Sequence, residues 1–108
     1  MSSPSKAKGN RAENKIVKLL IDAGIADAKR SWGSNGRSLG MHEEVDVLAN
    51  GCRVQVKARK SLPAIIVDAL TEHVDVAVLV QDRTAPVVVL RFEDFANIVK
   101  NGFWKRAL

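Results

Sequence analysis

The chain has 108 residues, a length typical of one compact domain and too short for a two-domain enzyme. Hydrophobic residues make up 46% of it and charged residues 27%, which supports a small core and excludes a disordered tail. Because no apolar run could span a bilayer and no leader pattern opens the chain, we expect a cytoplasmic protein without a membrane partner. The single cysteine, Cys52, excludes an internal disulfide and a zinc site of several cysteines.

The positive charge is concentrated in the first part of the chain. Residues 1–60 hold 12 Lys and Arg against 6 Asp and Glu, whereas residues 61–108 hold 5 against 6. A pI near 9.7 with this asymmetry favours a polyanion as partner, since side chains that neutralise phosphates release condensed counterions. The alternative is that these cations only keep a small protein soluble.

The chain opens with a basic segment and continues into a helix. The absence of acids and the few apolar residues predict a flexible basic arm over residues 1–10, followed by one domain over residues 11–108. Helical spacing of apolar residues then predicts a helix over 11–23 that ends at Gly24. The apolar stripe of this helix is Ala12, Ile16, Leu19, Leu20 and Ala23.

The segment over residues 43–59 contains two alternating runs around Asn50-Gly51. This dipeptide between such runs predicts a two-residue hairpin turn, because both central residues of the favoured turn need positive φ. The register then pairs Ala49 with Cys52, Val47 with Val54, Asp46 with Gln55, Val45 with Val56, and Glu44 with Lys57. Alternation places one apolar face in the core: Val45, Val47, Ala49, Cys52, Val54, Val56 and Ala58.

The other elements follow from periodicity and turn residues. They are a strand over 26–32, a glycine-rich loop over 33–40, a short helix over 63–70 that Ser61 could cap, strands over 74–80 and 86–91, and a helix over 92–100. The last two strands are near-continuous apolar runs, which is typical of central strands buried on both faces. The order α-β-β-β-α-β-β-α predicts an α/β fold with a central mixed sheet flanked by helices.

The polar face of the hairpin carries groups suited to phosphodiester hydrolysis. That chemistry uses converging carboxylates that hold Mg²⁺, and a cation close to the attacking water. Asp46 and Lys57 lie on adjacent strands with Gln55 opposite Asp46. Glu13 lies at the edge of the apolar stripe of the first helix, where it can face the sheet. The alternative interpretation is a solvated face with ordinary cross-strand polar pairs.

Four short motifs occur in order along the chain. They are Gly9 with Glu13, Arg30-Ser31 before the Gly-Ser loop, Val45-Asp46-Val47, and Gln55-Val56-Lys57. Together they resemble the PD-(D/E)XK nuclease superfamily, and within it the archaeal-type Holliday-junction resolvases. The resemblance extends from Lys8 to about Val99, element order included, and implies the restriction-endonuclease-like fold.

The resemblance also implies the roles of the site residues. Asp46 is implied as a metal ligand and Glu13 as a further metal-site acid. Gln55 and the carbonyl oxygen of Val56 would complete a site for Mg²⁺, for which Mn²⁺ could substitute. Lys57 is implied as the cation beside the attacking water, so the catalytic set is Glu13, Asp46, Gln55 and Lys57.

One position departs from the family pattern. Gln55 stands where an acid is usual, and its amide keeps an oxygen ligand but removes one negative charge, which weakens affinity for a divalent cation. Glu43 or Glu44 could compensate for the missing charge.

Basic side chains of the first half are the expected phosphate contacts. They are Lys6, Lys8, Arg11, Arg30, Arg37, Arg53, Arg59 and Lys60. Either Ser31 or Ser34 would correspond to the loop serine of the resolvase branch. Trp32 could stack on an unpaired base, and Phe103 with Trp104 could form a dimer contact.

These observations lead us to expect an Mg²⁺-dependent endodeoxyribonuclease. The expected substrate is a four-way or other branched junction met in DNA recombination and repair, cut by a homodimer because the junction has two-fold symmetry. A phage-encoded protein acting in the host cytoplasm also fits. Two other classes stay open, a non-catalytic DNA-binding module derived from a nuclease fold and a basic protein-interaction domain whose binding would be insensitive to salt.

Overall fold

The computed structural model describes residues 4–31 and 42–102. Contacts divide the chain into unit 1, Met1–Ala58 with Ala96–Leu108, and unit 2, Arg59–Phe95. The elements in chain order are α1 (Pro4–Asp22), β1 (Lys29–Arg30), β2 (Val47–Ala49), β3 (Cys52–Val54), α2 (Ala64–Val67), β4 (Val76–Gln81), β5 (Thr84–Leu90) and α3 (Phe92–Lys100). This is the predicted order, and it makes the protein mixed α/β, whereas the single domain over residues 11–108 stays a prediction.

The described strands pair into two antiparallel sheets, one of order β1-β2-β3 and one of order β4-β5. The α/β class is therefore confirmed, but a single mixed sheet is not seen among the described strands. None of the described helices is long and apolar enough to cross a membrane. Predictions for the glycine-rich loop, Trp32, and the pair Phe103 and Trp104 lie outside the described residues.

Helix α1 begins at Pro4 rather than at Arg11, so most of the predicted basic arm has helical backbone. Proline suits the first turn of a helix because its φ is already helical and its missing N–H would have no partner there. The helix ends as predicted before Gly24, which has a φ of +105°. The Ile25 N–H donates to the Leu20 carbonyl and the Gly24 N–H to the Ile21 carbonyl, the two bonds of a Schellman motif.

The buried face of α1 differs from the predicted apolar stripe. Leu20 is fully buried and Glu13 is 4% exposed, whereas Leu19 is 39% exposed. Positions 13 and 20 are seven residues apart and share one helix face. Glu13 therefore lies within the buried face rather than at its edge.

Strands β2 and β3 form the predicted hairpin. Val47 pairs with Val54, and Ala49 with Cys52, in the predicted register. Asn50 has a φ of 45° and Gly51 a φ of 83°, so both turn residues occupy the left-handed region as the Asn-Gly pattern requires. The turn prediction is confirmed.

The hairpin is shorter than predicted. Its ladder ends at Val47 and Val54, and residues 55–59 are not in a strand. The predicted pairs beyond this point, including Asp46 with Gln55 and Glu44 with Lys57, are wrong as ladder pairs. The physical reason is a side-chain hydrogen bond: the Val56 N–H donates to the carboxylate of Asp46 rather than to a backbone carbonyl of the opposite strand.

The core of the protein lies in unit 1. Its buried apolar side chains come from α1 and the segment after it, from the β2–β3 hairpin and from α3, which has the predicted bounds. They are Leu20, Ile25, Ala28, Val45, Val47, Ala49, Cys52, Ala96 and Val99. Of the predicted core face, Val54 and Val56 are half-buried and Ala58 is exposed.

Unit 2 contains the short helix α2 and the β4–β5 hairpin. Helix α2 covers only Ala64–Val67 and has no side-chain cap, so Ser61 does not cap it. The prediction of strands buried on both faces is wrong, since Val78 is 59% and Val80 is 77% exposed. The apolar run instead builds a two-stranded antiparallel ribbon, in which Val78 faces Val88.

Candidate active site

Asp46 lies immediately before β2 and is 9% exposed. Its N–H donates to the Val54 carbonyl at 2.9 Å, just beyond the last ladder pair of Val47 with Val54. Its carboxylate oxygen Oδ2 accepts the N–H of Val56 at 2.7 Å. A charged acceptor on a backbone N–H makes a strong hydrogen bond, so the carboxylate is fixed in orientation against the segment after β3.

Glu13 is the second buried carboxylate of unit 1. Its side chain is 5% exposed, and Oε2 lies 3.5 Å from Nε of Arg30, whose side chain is 27% exposed. Burying a carboxylate is costly without a counter-charge, and the guanidinium supplies that charge. Glu13 is therefore kept in the interior of unit 1 by a residue of β1.

Arg30 contacts a whole face of α1. Besides the ion pair, NH1 donates to Oδ1 of Asn14 at 3.0 Å and NH2 donates to Oδ1 of Asn10 at 3.3 Å. Asn10, Glu13 and Asn14 are spaced i, i+3 and i+4, so they are neighbours on one helix face. The planar guanidinium is suited to such a set because its donors form a fixed fork.

Strand β1 connects Glu13 to Asp46. Arg30 pairs with Val47 in the sheet, and the next residue, Ser31, donates its N–H to the Asp46 carbonyl at 2.9 Å. The Ser31 hydroxyl is 1% exposed and donates to the same carbonyl at 3.5 Å. Arg30, the last residue of β1, thus binds the carboxylate of Glu13, and the next residue, Ser31, binds the backbone carbonyl of Asp46.

The remaining predicted site residues are less buried than Glu13 and Asp46. Val56 is half-buried, and its backbone is adjacent to Asp46 through the hydrogen bond just described. Gln55 and Lys57, on either side of Val56, are exposed. Glu44 is also exposed, and its N–H donates to Nδ1 of His42, which gives that histidine a role in a local turn.

The predicted ligands match a hard cation in chemical type. Carboxylates of Asp46 and Glu13, the Val56 carbonyl and the Gln55 amide are all oxygen donors, the class that Mg²⁺ prefers. Among the residues that the structure describes, no group of three His, Cys, Asp or Glu could hold a metal ion.

The predicted DNA contacts other than Arg30 and Ser31 fall into three groups. Arg11 and Arg53 are exposed in unit 1, and Arg59 and Lys60 are exposed in unit 2. The side chains of Lys6 and Lys8, together with Ser34 and Arg37, lie outside the described residues. Ser31 is buried, so it positions Asp46 from within the unit, and a DNA contact through it stays a prediction.

Two features of the site were missed by sequence reasoning. Arg30 was expected to contact phosphate, yet its guanidinium is bound to α1. The sequence did contain a pattern that could have predicted this contact. Asn10, Glu13 and Asn14 place three oxygen acceptors on one helix face, which favours binding of a cationic side chain. No sequence pattern predicts the hydrogen bond from the Val56 N–H to the Asp46 carboxylate, because that bond depends on where the β2–β3 pairing ends.

No protein-family model, curated protein or solved structure matches this chain.

Proposed function

We propose that the protein is a metal-dependent endodeoxyribonuclease that hydrolyses phosphodiester bonds. The observation that carries the proposal is that two acids from separate parts of unit 1, Glu13 and Asp46, are both buried. Arg30 pairs with the carboxylate of Glu13, and the Val56 N–H binds the carboxylate of Asp46. Buried acids are unfavourable for stability unless they are compensated, and a site that binds a cation gives them a function.

Each residue has a defined task in this proposal. Glu13, Asp46, Gln55 and the Val56 carbonyl would hold Mg²⁺, which supplies charge neutralisation at the phosphate and a more acidic water. The hydrogen bond from the Val56 N–H orients Asp46 before any ligand arrives. Lys57 is exposed and follows Val56 in the chain, and in this proposal its ammonium would contact a phosphate and the water that attacks it.

The fold and substrate are finer parts of the proposal. The element order supports the restriction-endonuclease-like fold. DNA is supported by charge, since the stretches of unit 1 contain 13 Lys and Arg against 6 Asp and Glu, and those of unit 2 contain 4 against 6. A four-way junction cut by a homodimer is the proposed substrate, because paired cuts on a two-fold symmetric substrate suit a symmetric dimer.

The test is cleavage of a fluorescently labelled four-way junction and a matched linear duplex, each in Mg²⁺, Mn²⁺ or EDTA. We expect cleavage that is lost in EDTA and reduced more than about 100-fold in Asp46→Asn, because the amide keeps the shape but loses the charge that binds metal. Asp22→Asn is the matched control, since Asp22 is an exposed acid at the end of α1. Lys57→Ala should also lose most activity.

Each result has one meaning. Cleavage of the junction alone supports the resolvase, and cleavage of both substrates keeps the nuclease but removes the junction preference. Equal cleavage by Asp46→Asn and Asp22→Asn would contradict the proposed site. Salt-sensitive binding without cleavage in any metal would contradict the enzyme.

A second candidate function is a non-catalytic DNA-binding module. The observation that favours it is Gln55, which leaves the described part of the site with two acids and no three-acid group. Gln55→Glu distinguishes the two candidates, because a module that has lost its metal should gain metal binding from the restored acid, whereas an active nuclease cleaves without it.

A further inference from the structure

The outer face of helix α1 carries a row of cations. Arg11, Lys15 and Lys18 are exposed and spaced i, i+4 and i+7, so they are neighbours along one side of the helix. Among the described residues, none of the three takes part in an ion pair. We call these three residues the α1 basic row.

The α1 basic row lies on the opposite side of the helix from Glu13. At 3.6 residues per turn, each of its three positions is rotated by about 140–160° from position 13. Glu13 and Leu20 belong to the buried face of α1, so the row lies on the outside of unit 1. A ligand on the row is therefore separated from Glu13 by the width of a helix, about 10 Å.

The charge of the row is not balanced within α1. The helix contains five Lys and Arg against two acids. Of these acids, Glu13 is paired with Arg30, and Asp22 is the last residue of the helix, one turn beyond Lys18. Cations that are clustered along one face of a helix attract a polyanion.

The dimensions of the row favour DNA as that polyanion. Arg11 and Lys18 are separated by about 10 Å along the helix axis, since each residue adds about 1.5 Å. One strand of a DNA duplex presents about three phosphates over the same distance, one for each cation. An anionic membrane is less suited, because a helix that lies on a membrane inserts its apolar face. In α1 that face is occupied by the core, where Leu20 is fully buried.

We propose that Arg11, Lys15 and Lys18 form a second DNA-contact surface, which holds a segment of DNA other than the one at the candidate site. In a branched substrate this segment belongs to an arm away from the cut. The inference rests on the proposed function for the choice of DNA as partner, but it does not depend on cleavage.

The test measures binding of a fluorescently labelled four-way junction by anisotropy, in EDTA and at increasing salt. The variant Lys15→Gln with Lys18→Gln should bind about 10- to 100-fold more weakly than the wild type at about 0.1 M salt. The slope of log K against log salt should become shallower by about 1.8, because each phosphate contact contributes about 0.9. Lysine and glutamine have similar helix propensities, so the helix should persist.

Two matched controls separate a local contact from a general effect of charge. Lys15→Arg with Lys18→Arg keeps both charges and should bind like the wild type. Arg83→Gln with Lys100→Gln removes two exposed charges outside α1 and should keep the wild-type slope.

Three binding results would overturn the inference. They are equal slopes in the two glutamine variants, wild-type affinity in Lys15→Gln with Lys18→Gln, or no binding of DNA by the wild type. Phosphatidylserine vesicles test the membrane. If the substitutions at Lys15 and Lys18 abolished vesicle binding and left DNA binding unchanged, the partner would be a membrane and not DNA.

Cleavage in Mg²⁺ reports separately on the proposed function. A wild type that binds through the row but does not cleave removes only the enzyme, and one that cleaves but binds independently of the row removes only this inference. At saturating junction, Lys15→Gln with Lys18→Gln should cleave at the wild-type rate. A slower rate would mean that the row contacts the DNA at the cut, which contradicts a separate segment.

Discussion

The two hairpins of the protein are built from similar aliphatic residues but have opposite surroundings. The β2–β3 hairpin pairs three residues with three, and its Val47 is fully buried. The β4–β5 hairpin pairs strands of six and seven residues, and its Val78 and Val80 are 59% and 77% exposed. The shorter hairpin is the one that belongs to the described core and carries the candidate site.

Ladder length therefore does not determine which hairpin carries the buried core and the candidate site. All the buried apolar and buried polar residues among the described residues belong to unit 1. In unit 1, hydrogen bonds outside the ladder hold the β2–β3 hairpin at both ends. At the open end the Asp46 carboxylate accepts the Val56 N–H, and at the turn the Asn50 side chain donates to the Val99 carbonyl at 2.7 Å. Such non-local contacts fix a few side chains accurately, which a catalytic site requires.

The largest expected difference comes from making one substitution in each hairpin. Val47→Ala should lower the free energy of unfolding by about 1–3 kcal/mol, because it deletes buried methyl groups and leaves a cavity. Val78→Ala should change it by no more than about 0.5 kcal/mol, because that side chain is mostly exposed. The two substitutions are a matched pair, because each valine lies opposite another valine in its own hairpin.

Chemical denaturation of the two variants measures this difference. Equal losses would contradict the comparison. They would mean that the face of β4 carrying Val78 is covered in solution, and concentration-dependent stability would then identify a second copy of the chain as the cover.

Sequence reasoning recovered the features that depend on local rules. The element order, the bounds of α3 and the register around Asn50-Gly51 follow from periodicity and from the φ that a tight turn imposes. It also named Asp46, from the polar face of the hairpin, and Glu13, from the edge of the apolar stripe of the first helix, as candidate site acids. Their burial was not predicted, and their role in a site stays a prediction.

The features that it missed depend on tertiary contacts. The hairpin ends early because the Asp46 carboxylate accepts the Val56 N–H, and no alternation pattern records that exchange of acceptors. The ion pair of Arg30 with Glu13 joins residues far apart in the chain. The exposure of Val80 was missed because a continuous apolar run is equally consistent with a buried strand and with a ribbon.

A smaller effect is expected at the tip of the β2–β3 hairpin. Oδ1 of Asp27 accepts the Asn50 N–H at 2.9 Å and so ties the turn to the segment after α1. Asp27→Ala should destabilise the protein by about 1 kcal/mol, the net contribution of one such hydrogen bond. Asp22→Ala removes the same charge from an exposed position at the end of α1 and should have less effect. The unfolding temperatures of the two variants measure this difference. Similar decreases in both would show that the lost charge, rather than the lost hydrogen bond to Asn50, is responsible.

The smallest effect, of opposite sign, is expected at the turn of the other hairpin. Arg83 has a φ of 62°, a conformation that costs a residue with a β-carbon about 1–2 kcal/mol, whereas the β2–β3 turn places Gly51 in this region. Arg83→Gly removes that strain but adds about 0.5–1 kcal/mol of backbone entropy cost, so we expect a net gain of about 0.5 kcal/mol. Hydrogen exchange of the β4 and β5 amides should then slow by about twofold. Faster exchange would mean that the Arg83 side chain stabilises the ribbon, and that the turn of β4–β5, like the turn of β2–β3, is held by contacts beyond its own backbone.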